Sequence, residues 1–199
     1  MTPLILASSS RYRRDLLARL RLPFECRAPE IDERPQAGES PVALARRLAE
    51  TKAGVIAADL DHGLVIGSDQ VAVNDGRLLG KPGHRAAAIQ QLVAASGRAV
   101  VFQTAVCICD AESGARCSAV VPCTVHFRTL GIAEITTYLD TEEPYDCAGS
   151  FKAEGLGIVL FERIEGDDPT ALTGLPLIAL TRLLREAGRD VLAELQADS

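Results

Sequence analysis

Residues 4–14 read LILASSSRYRR. Four apolar residues run without a break into three serines, and three of the next four residues are arginines. A short apolar run closed by a turn signal is the pattern of a buried strand. Residues 11–20 then place Leu16, Leu17 and Leu20 on one helical face, with Ser10 standing where an N-cap belongs. A strand that turns tightly into a helix is the repeating step of α/β folds.

The alternation continues outward from that step. FECRAPEIDE (24–33) reads as extended, interrupted at Pro29. Ser40-Pro41 predicts a second helix with proline at its first position and Leu44, Leu48, Val55 and Ile56 on its apolar face. LVIGSDQVAVN (64–74) reads as a strand with polar residues in its middle, and Asp75-Gly76 is a hairpin turn signal. A helix is expected over 85–95. Two long β segments follow, about 98–109 and 116–129, joined by the turn-rich DAESGA as an antiparallel hairpin. A short helix is predicted over 132–140, a strand over LGIVLFERI (156–164), and a closing helix from Pro176 to about Ala187, stopped by Gly188. Helices interleaved with strands around one long hairpin imply an α/β chain with a mixed sheet. No repeat, low-complexity tract or linker divides it, so one domain over 1–199 is expected, with two lobes flanking a central cleft.

Composition narrows the function classes. The 199 residues are 47% hydrophobic, enough for a substantial core, and carry a formal charge of −6 with a pI near 5.1. Such a balance argues against a DNA, RNA or anionic-membrane binder, which needs clustered positive charge. No apolar run reaches the roughly 20 residues of a membrane span, and the first apolar stretch is too short for a signal-peptide core; a cytoplasmic protein is expected. The six cysteines form no C-x-x-C, and Cys107 and Cys109 share one face of a strand, so reduced, buried thiols are the expected state.

Several short stretches could carry chemistry. The serine-rich turn at a helix start is suited to an anion: exposed backbone N–H groups, the helix dipole and the hydroxyls of Ser8 and Ser10 all favour negative charge. Arg13, one turn in, can add a forked pair of donors. In GSDQ (67–70), Asp69 interrupts an apolar strand, where a carboxylate is costly unless paired or metal-bound. GKP (80–82) is not a Walker loop, because the spacing from Gly76 is short and Pro82 replaces the hydroxyl residue; Lys81 remains a single cation for a phosphate. EIDE (30–33) places Asp32 and Glu33 on opposite sides of an extended segment, so one of them could supply a hard oxygen to magnesium or manganese. CAGSFKAEGLG (147–157) combines glycines with Lys152 and Glu154. The histidines are scattered and read as structural.

Taken in order, LASSSRYRRDLL, EIDE, GSDQV, GKP, CAGSFKAEGLG and GLPLIAL resemble the Maf family of nucleotide pyrophosphatases, along nearly the whole chain. The resemblance implies an elongated mixed sheet flanked by helices around a cleft, like the inosine-triphosphate pyrophosphatases. It implies divalent-metal-dependent (Mg, Mn or Co) cleavage of nucleoside triphosphates between the α- and β-phosphates, and homodimers. It puts Ser8, Ser10 and Arg13 on the phosphate-binding turn, Glu33 and Asp69 on the acidic, metal-binding positions, Asp69 on the proton acceptor and Lys81 on the motif lysine. Tyr12, Gln70, Lys152 and Glu154 fall in the substrate-binding set.

Within that family, Tyr12, Gln70 and Glu154 resemble the branch preferring 7-methyl-GTP rather than dTTP and UTP, with Tyr12 in place of the more usual tryptophan. The chemistry agrees. N7-methylation makes guanine cationic, which an aromatic face attracts by about 0.5–2 kcal/mol. A carboxylate at Glu154 can accept from guanine N1–H and N2–H, whereas thymine or uracil offers a single donor. The alternatives are a dTTP/UTP pyrophosphatase of the same family and a non-catalytic nucleotide-binding regulator of cell division. A haloacid-dehalogenase-like phosphatase lacks its second aspartate here, since Gln70-Val71 follow Asp69.

Overall fold

The computed structural model describes residues 2–197; Met1, Asp198 and Ser199 at the ends of the expected domain lie outside it. The strands are β1 (Leu4–Leu6), β2 (Glu25–Cys26), β3 (Leu64–Asn74), β4 (Arg77–Leu79), β5 (Ala99–Asp110), β6 (Arg116–Phe127) and β7 (Phe161–Glu165). The helices are α1 (Arg11–Ala18), α2 (Pro41–Ala57), α3 (Arg85–Ala95), α4 (Ile132–Glu142), α5 (Leu177–Glu186) and α6 (Val191–Ala197). One mixed sheet runs β2-β1-β3-β5-β6-β7, with β4 paired to β3. β1 is parallel to both β2 and β3, while β4 and β7 are antiparallel to their neighbours.

The chain divides into two compact units. Residues 2–70, 104–121 and 168–197 form the first, with boundaries inside β3, β5 and β6. Its core gathers Leu4 and Leu6 of β1, Leu64 and Ile66 of β3, Leu16 and Leu17 of α1, and Leu180, Leu183 and Leu184 of α5. Residues 71–103 and 122–167 form the second. There Phe102, Phe127, Phe151 and Phe161 meet edge to face at centroid distances of 4.8–5.6 Å, a geometry favoured by the ring quadrupoles.

Local chemistry accounts for most element ends. Ser10 caps α1 by accepting from the Arg13 N–H, and Ser40 caps α2 by accepting from Ala43. Asp75 and Gly76 both take positive φ, as a tight hairpin turn requires. The expectations fail in four places. FECRAPEIDE pairs only at Glu25–Cys26. The first half of LGIVLFERI is a 3-10 turn over Leu156–Leu160, and only Phe161–Glu165 pairs. Val55 lies on the exposed side of α2. A further helix, α6, follows Gly188, anchored by buried Arg189, which donates to Thr2 O and pairs with Glu194. All six cysteines are free, but the expectation that they are buried also fails at Cys26, which is exposed, and at Cys117 and Cys147, which are half-buried. Among the described residues no helix is long and apolar enough to cross a membrane.

Candidate active site

In the first unit residues 4–14 fold as strand β1, a serine-rich turn and the start of helix α1. Ser8 is buried, and its Oγ accepts from Ser10 N at 3.1 Å. Ser10 Oγ accepts from Arg13 N at 3.4 Å. Each hydroxyl spends a lone pair on the backbone and keeps its proton for another acceptor. Arg13 Nε donates to Gly174 O at 2.9 Å, which fixes the plane of the guanidinium. Desolvation lowers the Arg13 pKa from its ordinary value, and the nearby charges of Asp69 and Glu33 oppose that shift.

Asp69 sits in mid-strand, as the sequence placed it, and is 8% exposed. Its compensation comes from a residue that the sequence reading missed. Lys52 Nζ, also buried, lies 2.6 Å from Asp69 Oδ1 and 2.6 Å from Glu33 Oε1. Two features deliver that ammonium. Gly67 lets β3 approach α2 so closely that a Cβ there would stand 2.0 Å from Ala49 O. Arg47, also on α2, holds the 34–39 segment: it pairs with Glu39 at 2.7 Å and donates to Arg34 O at 3.1 Å. That attachment keeps the neighbouring Glu33 over α2. Asp32 turns the other way and pairs with Arg34.

The turn before α5 organises the remaining polar groups. Buried Asp168 accepts from Thr170 N and Oγ1 through one oxygen and from Ile178 N and Ala179 N through the other. The turn so fixed presents three carbonyls. Gly174 O receives Arg13 and also Ser68 Oγ at 2.9 Å. Ala171 O and Leu172 O each accept from Gln70 Nε2 at 3.0 Å, and Thr104 Oγ1 lies 2.9 Å from the same nitrogen. Two carbonyl partners can only accept, so they fix the amide orientation. Gln70 therefore turns its Oε1 away, as an oriented acceptor without a partner among the described residues.

The other expected residues fall less simply. Tyr12 carries the Arg11 guanidinium over its ring at 4.7 Å, and its hydroxyl accepts from Arg11 Nη2 at 2.8 Å. One face of the ring expected to meet a cationic base thus holds a cation of the chain itself. In the second unit Lys81 is exposed on a loop held by Gln91 Nε2 to Gly80 O and by Gly83 N to Tyr145 O. Lys152, expected in the substrate-binding set, engages Glu142: Nζ donates to Glu142 O at 2.6 Å and lies 3.3 Å from Glu142 Oε1. Glu154 is exposed, and Lys152 does not pair with it.

Two carboxylates, Glu33 and Asp69, converge on one cation. That donor set fits a magnesium-like ion, which takes one or two carboxylates and fills its shell with phosphate and water oxygens. Among the described residues no group of three or more His, Cys, Asp or Glu side chains could hold a metal unaided.

The family model described as Maf-like protein matches residues 3–187. A protein named 7-methyl-GTP pyrophosphatase from Burkholderia pseudomallei is 59% identical over 188 residues, covering 93% of this chain and 87% of that one. Relatives of the same name from Cupriavidus metallidurans and Nitrosococcus oceani are 56% and 55% identical, covering 93% and 95% of both chains respectively. Among solved structures, a HAM1 protein from Coxiella burnetii aligns over 64% of this chain and 73% of its own, at 19% identity and a TM-score of 0.46. With the family model spanning nearly the whole chain and relatives well above half identical, this chain belongs to the Maf family.

Proposed function

We propose that the chain hydrolyses nucleoside triphosphates between the α- and β-phosphates, with 7-methyl-GTP as substrate and 7-methyl-GMP and diphosphate as products. The observation that carries the reading is Asp69, held at 2.6 Å by Lys52 beside the Ser8–Arg13 anion cradle. The names of the relatives support the choice of nucleotide.

In this reading Ser8, Ser10 and Arg13 bind phosphate oxygens. Asp69 orients the attacking water and accepts its proton, a role that contributes about 10²–10⁴-fold. Lys52 holds that carboxylate in place through the 2.6 Å contact with Oδ1. Arg13 stabilises charge developing on the departing diphosphate. The Glu154 carboxylate accepts from the base. A divalent cation (Mg, Mn or Co) would be held by Glu33 and Asp69, and when bound would supply Lewis-acid neutralisation of the phosphates. The same reading makes the protein a cytoplasmic homodimer that binds neither nucleic acid nor membrane, in keeping with its charge of −6.

The test is diphosphate release from 7-methyl-GTP, GTP, dTTP, UTP and CTP with magnesium or manganese, beside Asp69→Asn. Preferred turnover of 7-methyl-GTP, reduced at least about hundredfold in the variant, is expected. Preference for dTTP or UTP would overturn the base assignment. Nucleotide binding without turnover would replace the enzyme with a regulator.

A further inference from the structure

Glu142, the last residue of α4, grips the segment that carries Glu154 on both sides. Its main-chain oxygen accepts from Lys152 Nζ at 2.6 Å, and its Oε1 lies 3.3 Å from the same ammonium. Its Oε2 accepts from Leu156 N at 3.0 Å. Tyr138, one turn back on α4, accepts from Lys152 N through its hydroxyl at 3.1 Å. Between these attachments, Gly155 N and Gly157 N both donate to Lys152 O, at 3.2 and 3.0 Å, and close the backbone into a tight turn.

The glycines show how closely the parts fit. A Cβ on Gly155 would stand 3.1 Å from both Glu142 carboxylate oxygens, and one on Gly157 would stand 2.3 Å from Lys152 O. The side chains of Glu142 and Lys152 are mostly covered, at 21% and 15% exposed. Glu154, at the apex, is exposed and forms no ion pair among the described residues. An exposed carboxylate selects between bases only if its backbone is held still, because two adjacent N–H donors on a base edge demand a fixed direction.

We propose that Glu142 is a positioning residue for base selection: it fixes the turn on which Glu154 presents its carboxylate, and so favours a guanine-type edge with two adjacent donors over a pyrimidine edge with one. This rests on the reading of Glu154 given under the proposed function. Glu142 acts on discrimination and not on the chemical step.

The experiment compares wild type, Glu142→Ala, Glu142→Gln, Glu154→Ala and the double alanine variant. Diphosphate release from 7-methyl-GTP and from dTTP gives kcat and KM separately, and thermal unfolding reports integrity. Glu142→Gln keeps an acceptor for Leu156 N–H but loses the ion pair, so it serves if the alanine variant fails to fold. Glu142→Ala is expected to lower the 7-methyl-GTP to dTTP ratio of kcat/KM by about tenfold or more, mainly through KM for 7-methyl-GTP, with Glu142→Gln intermediate. The double variant should discriminate no worse than Glu154→Ala, as residues acting as one unit are non-additive. A wild-type ratio in both Glu142 variants, an equal loss on both nucleotides, or losses that add would overturn the proposal. If Glu154→Ala itself keeps the wild-type ratio, the reading of Glu154 fails and the role of Glu142 falls with it.

Discussion

Gly67→Ala tests the architecture of the site without touching a charged group. The added Cβ would meet Ala49 O at 2.0 Å, Ala53 N at 2.8 Å and Ala53 Cβ at 3.0 Å. Those are atoms of α2 that cannot swing aside, so strand and helix must part. Ordinary contact begins near 3.4 Å, which demands about 1.4 Å of separation from the carbonyl. Asp69 lies two residues along β3 and Lys52 on the facing turns of α2, joined at 2.6 Å. The separation stretches that pair toward the limit of an ion pair. Overpacking costs about 1–3 kcal/mol, and a chain of this length loses roughly 2–4 °C of Tm per kcal/mol. A misplacement near 1 Å costs about 10²-fold in rate. The assay is diphosphate release from 7-methyl-GTP, with a thermal melt of the same sample. The expected result is a folded protein with a lowered Tm and a kcat down by about two orders of magnitude. Wild-type kcat in Gly67→Ala would refute the claim that close strand–helix approach sets the Lys52–Asp69 geometry.

Three further outcomes follow from the same structure. Lys52→Met leaves Glu33 and Asp69 without their shared cation; a broken buried pair costs about 3–5 kcal/mol, so both Tm and diphosphate release should fall. The Glu39 carboxyl, ordinarily near 4.5, is held at about 2 by hydrogen bonds first from Arg47 and then from the Gln36 backbone. Because this pKa is depressed, its stabilisation is present above about 4.5 and is lost as pH falls toward 2; Glu39→Gln should lower Tm at pH 6 and flatten the decline across that window. Burial pushes the Cys107 thiol up to about 12 and the Cys123 thiol up to about 11, so at pH 8 a thiol reagent should react first with exposed Cys26, and Cys26→Ser should remove that fastest phase.

The fold was largely legible because its elements announce themselves locally. LVIGSDQVAVN pairs from Leu64 to Asn74 as read, its polar interruption notwithstanding, and Asp75-Gly76 turns where the two letters demand it. LGIVL misled because an apolar run of that length has no period by which to tell a strand from a tight helical turn. The site was half legible. Asp69 was visible as a carboxylate in an apolar strand, and the serine turn by its composition. Lys52 was not noticed, since a lysine in a helix usually points to water; the available signal was its place on the Leu44–Leu48–Ile56 face, where water is excluded. Gln70 could be named from sequence, but its hydrogen-bond polarity depends on carbonyls a hundred residues away along the chain. The pairing of Lys152 with Glu142 rather than Glu154 spans 10 residues along the chain and depends on where α4 ends.

The turn between Asp168 and α5 works through its backbone. It orients Arg13, Ser68 and Gln70 with the carbonyls of Ala171, Leu172 and Gly174, and none of the side chains at those three positions takes part. Exchanging Leu172 for an apolar residue of similar volume would leave those carbonyls where they are, whereas a larger residue at fully buried Ala171 would overpack the core and move them. Inserting or deleting a single residue would slide them all out of register at once. The segment is therefore strict in length, and a library varying its length should recover active clones almost solely at the native spacing.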